Sequence, residues 1–98
     1  MAIQSFRDQA SVDIWEGTDS KAARKALPKT LWSSASAKLD LLDGATDLLK
    51  DLGAPGLRLK KLTGDQAGRW SIRINDQYRI TFRFDGGHAH DVLVEDYH

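Results

Sequence analysis

Four arginines, Arg69, Arg73, Arg79 and Arg83, recur through the stretch RWSIRINDQYRITFRF, residues 69–84. Side chains of an extended chain alternate between faces, so within each half of the stretch these arginines share one face. Trp70, Ile72 and Ile74, then Tyr78, Ile80, Phe82 and Phe84, take the other. Matching the two apolar faces pairs Ile74 with Tyr78 and leaves Asn75, Asp76 and Gln77 as a three-residue hairpin loop. That register sets Ile72 opposite Ile80, Trp70 opposite Phe82, Arg73 opposite Arg79 and Arg69 opposite Arg83. Like charges directly opposed repel, so an anion belongs between them. A carboxylate of the chain (Asp65, Glu95 or Asp96) would serve. So would a ligand phosphate, whose oxygens match the guanidinium fork. The spacing leaves both open. The chain ends EDYH, with Tyr97 on the arginine face of a further strand and His98 last. Both side chains can transfer protons, although a lone tyrosine also packs and a terminal histidine also frays.

Several elements must position these groups. AIQSF, residues 2–6, reads as a short strand. Asp8 or Ser11 caps a short helix that stops at Gly17. Residues 17–27 are small and polar and read as a loop. Pro28 opens a helix whose stripe is Leu31, Ala35, Leu39, Leu42, Ala45, Leu49 and Leu52, widened by Trp32 and Leu41. Gly44 is a place for a bend or break, and Gly53 and Pro55 end the helix. Residues 54–68 form a loop with an extended piece around Leu57–Leu62. After the hairpin, Gly86 and Gly87 turn the chain into a strand, residues 90–97, with Val92 and Val94 inward and Leu93 and Glu95 outward. The order is β-α-α-β-β-β: an α+β fold with helices on one face of a mainly antiparallel sheet and the arginines on the other.

Composition narrows the function classes. Ninety-eight residues suffice for a single domain, 1–98, with one core. Fourteen basic and fourteen acidic residues cancel, yet from Arg58 to Arg83 seven basic residues face two acidic ones. Such a block can hold a polyanion within a neutral chain. The absence of cysteine removes disulfides and thiol catalysis and fits a reducing cytoplasm. No apolar run reaches membrane-spanning length, and MAIQSFRDQA does not read as a signal peptide. His88, His90 and His98 lack the clustered spacing of a metal site, and no phosphate-loop or nucleophile-elbow motif is present.

LTGDQAGRWSIRINDQYRITFRF followed by the final EDYH closely resembles the HigB-like toxins of the RelE/ParE superfamily, the toxin halves of bacterial type II toxin–antitoxin pairs. The likeness is strongest over residues 57–98 and reaches more weakly to Ser5, Phe6 and the leucine-rich helix. It implies a RelE-like microbial ribonuclease fold and an endoribonuclease that cuts mRNA in the ribosomal A site without metal or other cofactor. The 2′-hydroxyl would attack the adjacent phosphorus, leaving a cyclic phosphate and a free 5′-hydroxyl. The resemblance implies that Arg73 and Arg79 hold the equatorial oxygens, that Tyr97 and His98 move protons, and that Asp96 orients His98 or binds mRNA. Arg58, Lys60, Lys61, Arg69 and Arg83 would contact RNA or ribosome. It also implies a helix-turn-helix, HigA-like antitoxin that carries any contact with operator DNA, and no membrane association. This chain has Lys60 where many relatives have a histidine, Thr63 where many have a lysine, and Tyr78 where many have a tryptophan. Two other functions stay open: a gyrase poison of the ParE type, and a weakened toxin acting mainly through its antitoxin complex.

Overall fold

The hairpin around Asn75 organises the sheet. A computed structural model describes residues 2–96. Four antiparallel strands, β1 (Lys60–Lys61), β2 (Trp70–Arg73), β3 (Tyr78–Asp85) and β4 (His88–Asp96), lie side by side in chain order. The β2–β3 register is Trp70 with Phe82, Ser71 with Thr81, Ile72 with Ile80 and Arg73 with Arg79, as the matched apolar faces require. Asn75 fixes the loop: its Oδ1 accepts the backbone N–H groups of Gln77 at 2.9 Å and Tyr78 at 2.8 Å. The β3–β4 turn needs Gly86 and Gly87, at φ 59° and 80°, because both central positions of this tight hairpin are left-handed.

A β-bulge that the sequence does not announce sits in β4. Thr81 pairs with Leu93 but Arg83 pairs with His90, so Asp91 and Val92 together oppose Phe82. Asp91 carries the irregularity at φ 52°. The bulge resets the alternation, so that Ala89, Val92 and Val94 all face the core.

Four helices cover that core face: α1 (Gln9–Glu16), α2 (Lys21–Ala26), α3 (Trp32–Asp43) and α4 (Leu48–Leu52). Asp8 caps α1 by accepting the Ser11 N–H at 2.9 Å, and Gly17 ends it in the left-handed region. α2 lies where a loop was expected. Ser20 accepts the Ala23 N–H at 3.1 Å and donates to Asp13 at 2.7 Å, tying α2 to α1. The single long helix expected over 28–52 is instead a 3₁₀ turn at Lys29–Leu31, α3, a break at Gly44, and α4 capped by Asp47. The break turns Leu49 outward, 70% exposed, while Leu39, Leu42 and Leu52 stay fully buried with Ile14, Ile72, Ile80 and Phe82.

The expected strand at residues 2–6 is only two isolated parallel bridges, Ile3 with Ala89 and Phe6 with Val92. The segment lies along β4, and the Ser11 hydroxyl accepts the Val94 N–H at 2.9 Å. Together they satisfy an edge that would otherwise be open to pairing with another chain. No helix among the described residues is long and apolar enough to cross a membrane.

Candidate active site

Three strands contribute one row of charge across the polar face. Arg73 on β2 opposes Arg79 on β3, and Arg79 opposes Glu95 on β4. A second row, one pair further along, runs Lys60, Ser71, Thr81 and Leu93 over all four strands. Residues on either side of β1, Arg58 before it and Leu62, Thr63 and Gln66 after it, help to shape two depressions beside these rows.

The first, about 230 Å³, is lined by Arg58, Arg73, Asp76 and Arg79. Arg73 donates to the Asp76 carboxylate, whose side chain is 96% exposed. So exposed a pair contributes at most ~1 kcal/mol. A ligand phosphate held by charge-assisted bonds, worth ~1.5–3 kcal/mol each, outcompetes it. Arg79 Nη1 donates to the Ser71 hydroxyl at 3.4 Å, which aims the guanidinium along the face. Arg58 reaches the same depression from the turn Pro55–Leu57, at φ 50°. A non-glycine residue in the left-handed region costs ~1–3 kcal/mol and persists only where its surroundings demand it.

The second depression, about 290 Å³, is lined by Lys60, Leu62, Thr63, Gln66, Thr81 and Glu95. Thr81 is buried at 2% exposure and donates to Glu95 Oε2 at 2.5 Å. The same hydroxyl oxygen accepts from Arg69 Nη2 at 3.0 Å.

Arg69 departs from the role of a surface contact. It is 5% exposed, and its Nη2 also donates to the Asp91 carbonyl at 2.9 Å, so the bulge supplies its second acceptor. Burial, and next the nearby Arg7, pull its guanidinium below its ordinary value, with Glu95 and Asp91 acting against them. An arginine nonetheless stays cationic. The expected pairing of Arg69 with Arg83 is not made, since β2 begins at Trp70. Arg83 is exposed and lies 3.7 Å from the Asp91 carboxylate. Among the described residues, Asp76 pairs with Arg73 and Asp91 with Arg83, and Glu95 stands in register with Arg79.

Asp96 stands apart from the row. It pairs with Tyr78, so it shares the alternation of the core-facing Ile80 and Val94, not that of Arg79 and Glu95. Its carboxylate accepts from Gln77 Nε2 at 2.9 Å, joining the strand end to the hairpin loop. Lys60 and Lys61 are exposed on β1, Lys60 in register with Ser71 and Lys61 with Trp70. Tyr97 and His98 lie outside the described residues. The groups that sequence reading passed over are Ser71 and Thr81, with Glu95 considered only as a counter-charge. Their position on the arginine alternation was the available signal.

This geometry is carried by a chain whose residues 4–98 match the family model described as RelE-like toxin of type II toxin-antitoxin system HigB. The chain belongs to the HigB-like toxin family. It is 31% identical to Endoribonuclease HigB of Proteus vulgaris over 96 residues, covering 98% of this chain and 99% of that protein. With Toxin HigB-1 of Vibrio cholerae it shares 32% identity over 95 residues, covering 97% and 96% of the two chains. Among solved structures, the YoeB–YefM complex from Staphylococcus aureus superposes with a TM-score of 0.60 at 15% identity, covering 100% of this chain and 99% of the other. The YoeB/ParE toxin from Agrobacterium tumefaciens gives 0.56 at 19% identity, with both chains fully covered. The fold of this HigB-like toxin is thus the RelE-like α+β fold expected from the sequence. Family membership makes it the toxin half of a toxin–antitoxin pair.

Proposed function

We propose that this HigB-like toxin is a ribosome-dependent endoribonuclease that cleaves mRNA in the A site by 2′-hydroxyl attack, without a metal. The observation that carries this reading is the depression between β2 and β3, lined by Arg58, Arg73 and Arg79 together with Asp76, a highly exposed carboxylate paired with Arg73. Its cationic walls suit one backbone phosphate. Arg73 and Arg79 hold the nonbridging oxygens as the phosphorane forms. A preorganised donor of this kind is worth about 10²–10³ in rate. Tyr97 and His98 supply proton transfer, and Asp96 fixes the strand end that leads to them. Lys60 and Lys61, exposed on the edge strand, meet the phosphates of mRNA or ribosomal RNA. A 2′-hydroxyl nucleophile restricts cleavage to RNA. The ribosome contributes by fixing the codon against so shallow a site, since positioning alone removes much of a barrier.

The name of the relative from Proteus vulgaris, an endoribonuclease, supports the reaction type. The partner that restrains the toxin is an antitoxin of helix-turn-helix class, through which the complex meets operator DNA, and the toxin acts in the cytoplasm. Mapping mRNA ends after expression of the toxin alone tests the proposal. Cuts within translated codons are expected. Intact mRNA together with inhibited DNA supercoiling would move the assignment to gyrase.

A further inference from the structure

The reaction proposed above needs a group that takes the proton from the 2′-hydroxyl. The position where many relatives carry a histidine holds Lys60, which is exposed on β1. An ammonium has no lone pair with which to accept a proton. The described carboxylates divide sharply in this respect. Asp76 sits on Arg73, Asp91 on Arg83, and Asp96 stands on the opposite alternation. Glu95 alone among them both shares the row of Arg73 and Arg79 and lines the second depression.

From this placement, and resting on the ribonuclease reading, we infer that Glu95 is the proton acceptor of this toxin, held in place by a relay from buried Arg69 through Thr81. The relay is complete in hydrogen-bond terms. Arg69 Nη2 donates to Thr81 Oγ1 at 3.0 Å, and the Thr81 hydroxyl donates onward to Glu95 Oε2 at 2.5 Å. With Arg69 donating into it, the hydroxyl turns its hydrogen to Glu95. Arg69 is itself fixed by the Asp91 carbonyl at 2.9 Å, so the bulge anchors the chain of donors. One oxygen of Glu95 accepts this bond, and the carboxylate borders a depression of about 290 Å³ open to substrate. Lys60 on β1, Arg79 on β3 and Arg69 before β2 are the charged groups nearest in register and contact. All three are cationic.

Spacing fits the chemistry. Side chains directly opposed on neighbouring antiparallel strands start ~5 Å apart at Cβ. That separation lets Arg79 hold a phosphate while Glu95 reaches the 2′-hydroxyl of the nucleotide on its 5′ side, across one phosphodiester. In the step, the O2′–H bond breaks and its proton passes to the Glu95 carboxylate. The O2′–P bond forms as the P–O5′ bond breaks, and the leaving O5′ takes a proton from His98 or water. The products are a 2′,3′-cyclic phosphate and a 5′-hydroxyl. Glu95 is the catalytic residue of this inference; Arg69 and Thr81 are positioning residues.

The test is single-turnover cleavage of a defined mRNA on purified ribosomes by Glu95→Gln, Glu95→Asp, Thr81→Val, Thr81→Ser and Arg79→Ala, with folding checked by thermal melts. Glu95→Gln keeps shape and acceptor oxygen but loses the base. It should slow cleavage about 10²–10⁴-fold at saturating ribosome, with half-saturation nearly unchanged, and abolish the fall in rate at acidic pH. Glu95→Asp should retain part of the rate and keep the acidic limb. Thr81→Val should slow cleavage by a smaller factor, and Thr81→Ser should restore it. Wild-type rates and an unaltered acidic limb in Glu95→Gln, while Arg79→Ala is inactive, would overturn this inference and leave the ribonuclease reading standing. A wild-type toxin that leaves ribosome-bound mRNA intact would overturn both.

Discussion

The two ends of the β2–β3 hairpin carry the same charge pattern and have opposite fates. At the loop end, Arg73 and Arg79 are opposed in register and converge with Arg58 on a shallow depression. At the base, Arg69 is buried against Thr81 and the Asp91 carbonyl, and Arg83 leans on the Asp91 carboxylate. Alternation put all four on one side of the sheet. What separates them is the supply of acceptors. The bulge at Asp91 turns both a carbonyl and a carboxylate toward the base of the hairpin, whereas the loop end offers Asp76, which solvent surrounds. Cations that the chain has already satisfied build the fold; those held by a weak partner remain available to an anion from outside.

Replacing one arginine at each end breaks this contrast most sharply. Arg79→Ala should lower the rate of mRNA cleavage by about 10²–10³-fold, with little change in melting temperature, as followed by single-turnover kinetics and circular dichroism. Arg69→Ala should act first on stability. It leaves the buried Thr81 hydroxyl and Asp91 carbonyl without their donor and should cost ~2–3 kcal/mol of stability, a fall of about 10–20 °C in melting temperature for a domain this size. Arg69→Lys should not restore it, because an ammonium lacks the guanidinium fork. Asp76→Asn releases Arg73 from this exposed counter-ion and should tighten binding of a short RNA by a few fold, equivalent to at most ~1 kcal/mol, an effect measurable by fluorescence anisotropy. Arg83→Ala should matter least: the Arg83–Asp91 pair is long and exposed, so its loss should shift stability by less than ~1 kcal/mol and vanish in high salt, as a denaturant titration would show.

Much of this contrast was legible in the sequence, and the rest was not for identifiable reasons. The hairpin register followed from period-two alternation and the Asn75–Gln77 loop, because shifting by one residue would have exposed Ile72 and Ile80. The fold class and the family likeness follow from the same stretch. Gly44 was visible as a breaking point, but the outward turn of Leu49 depends on the new cap at Asp47, which a continuous leucine stripe conceals. α2 was missed because its signal is one serine followed by small and basic residues, and so short a helix is stabilised by tertiary contacts, the burial of Ala23 and the bond from Ser20 to Asp13. The bulge left no trace, since Val92 and Val94 alternate normally beyond it. Without the bulge there was no way to foresee that Arg69 finds the Asp91 carbonyl, whereas the inward alternation of Val92 and Val94 already carried Asp96 to the face away from the arginines.

The most direct test maps mRNA 5′ ends by primer extension in cells expressing the wild-type toxin or Arg79→Ala, at matched levels of folded protein. The account predicts discrete cuts inside translated codons for the wild type and their loss in Arg79→Ala, with growth restored. Cuts that persist unchanged in Arg79→Ala, or a growth arrest by the wild type with every transcript intact, would contradict it.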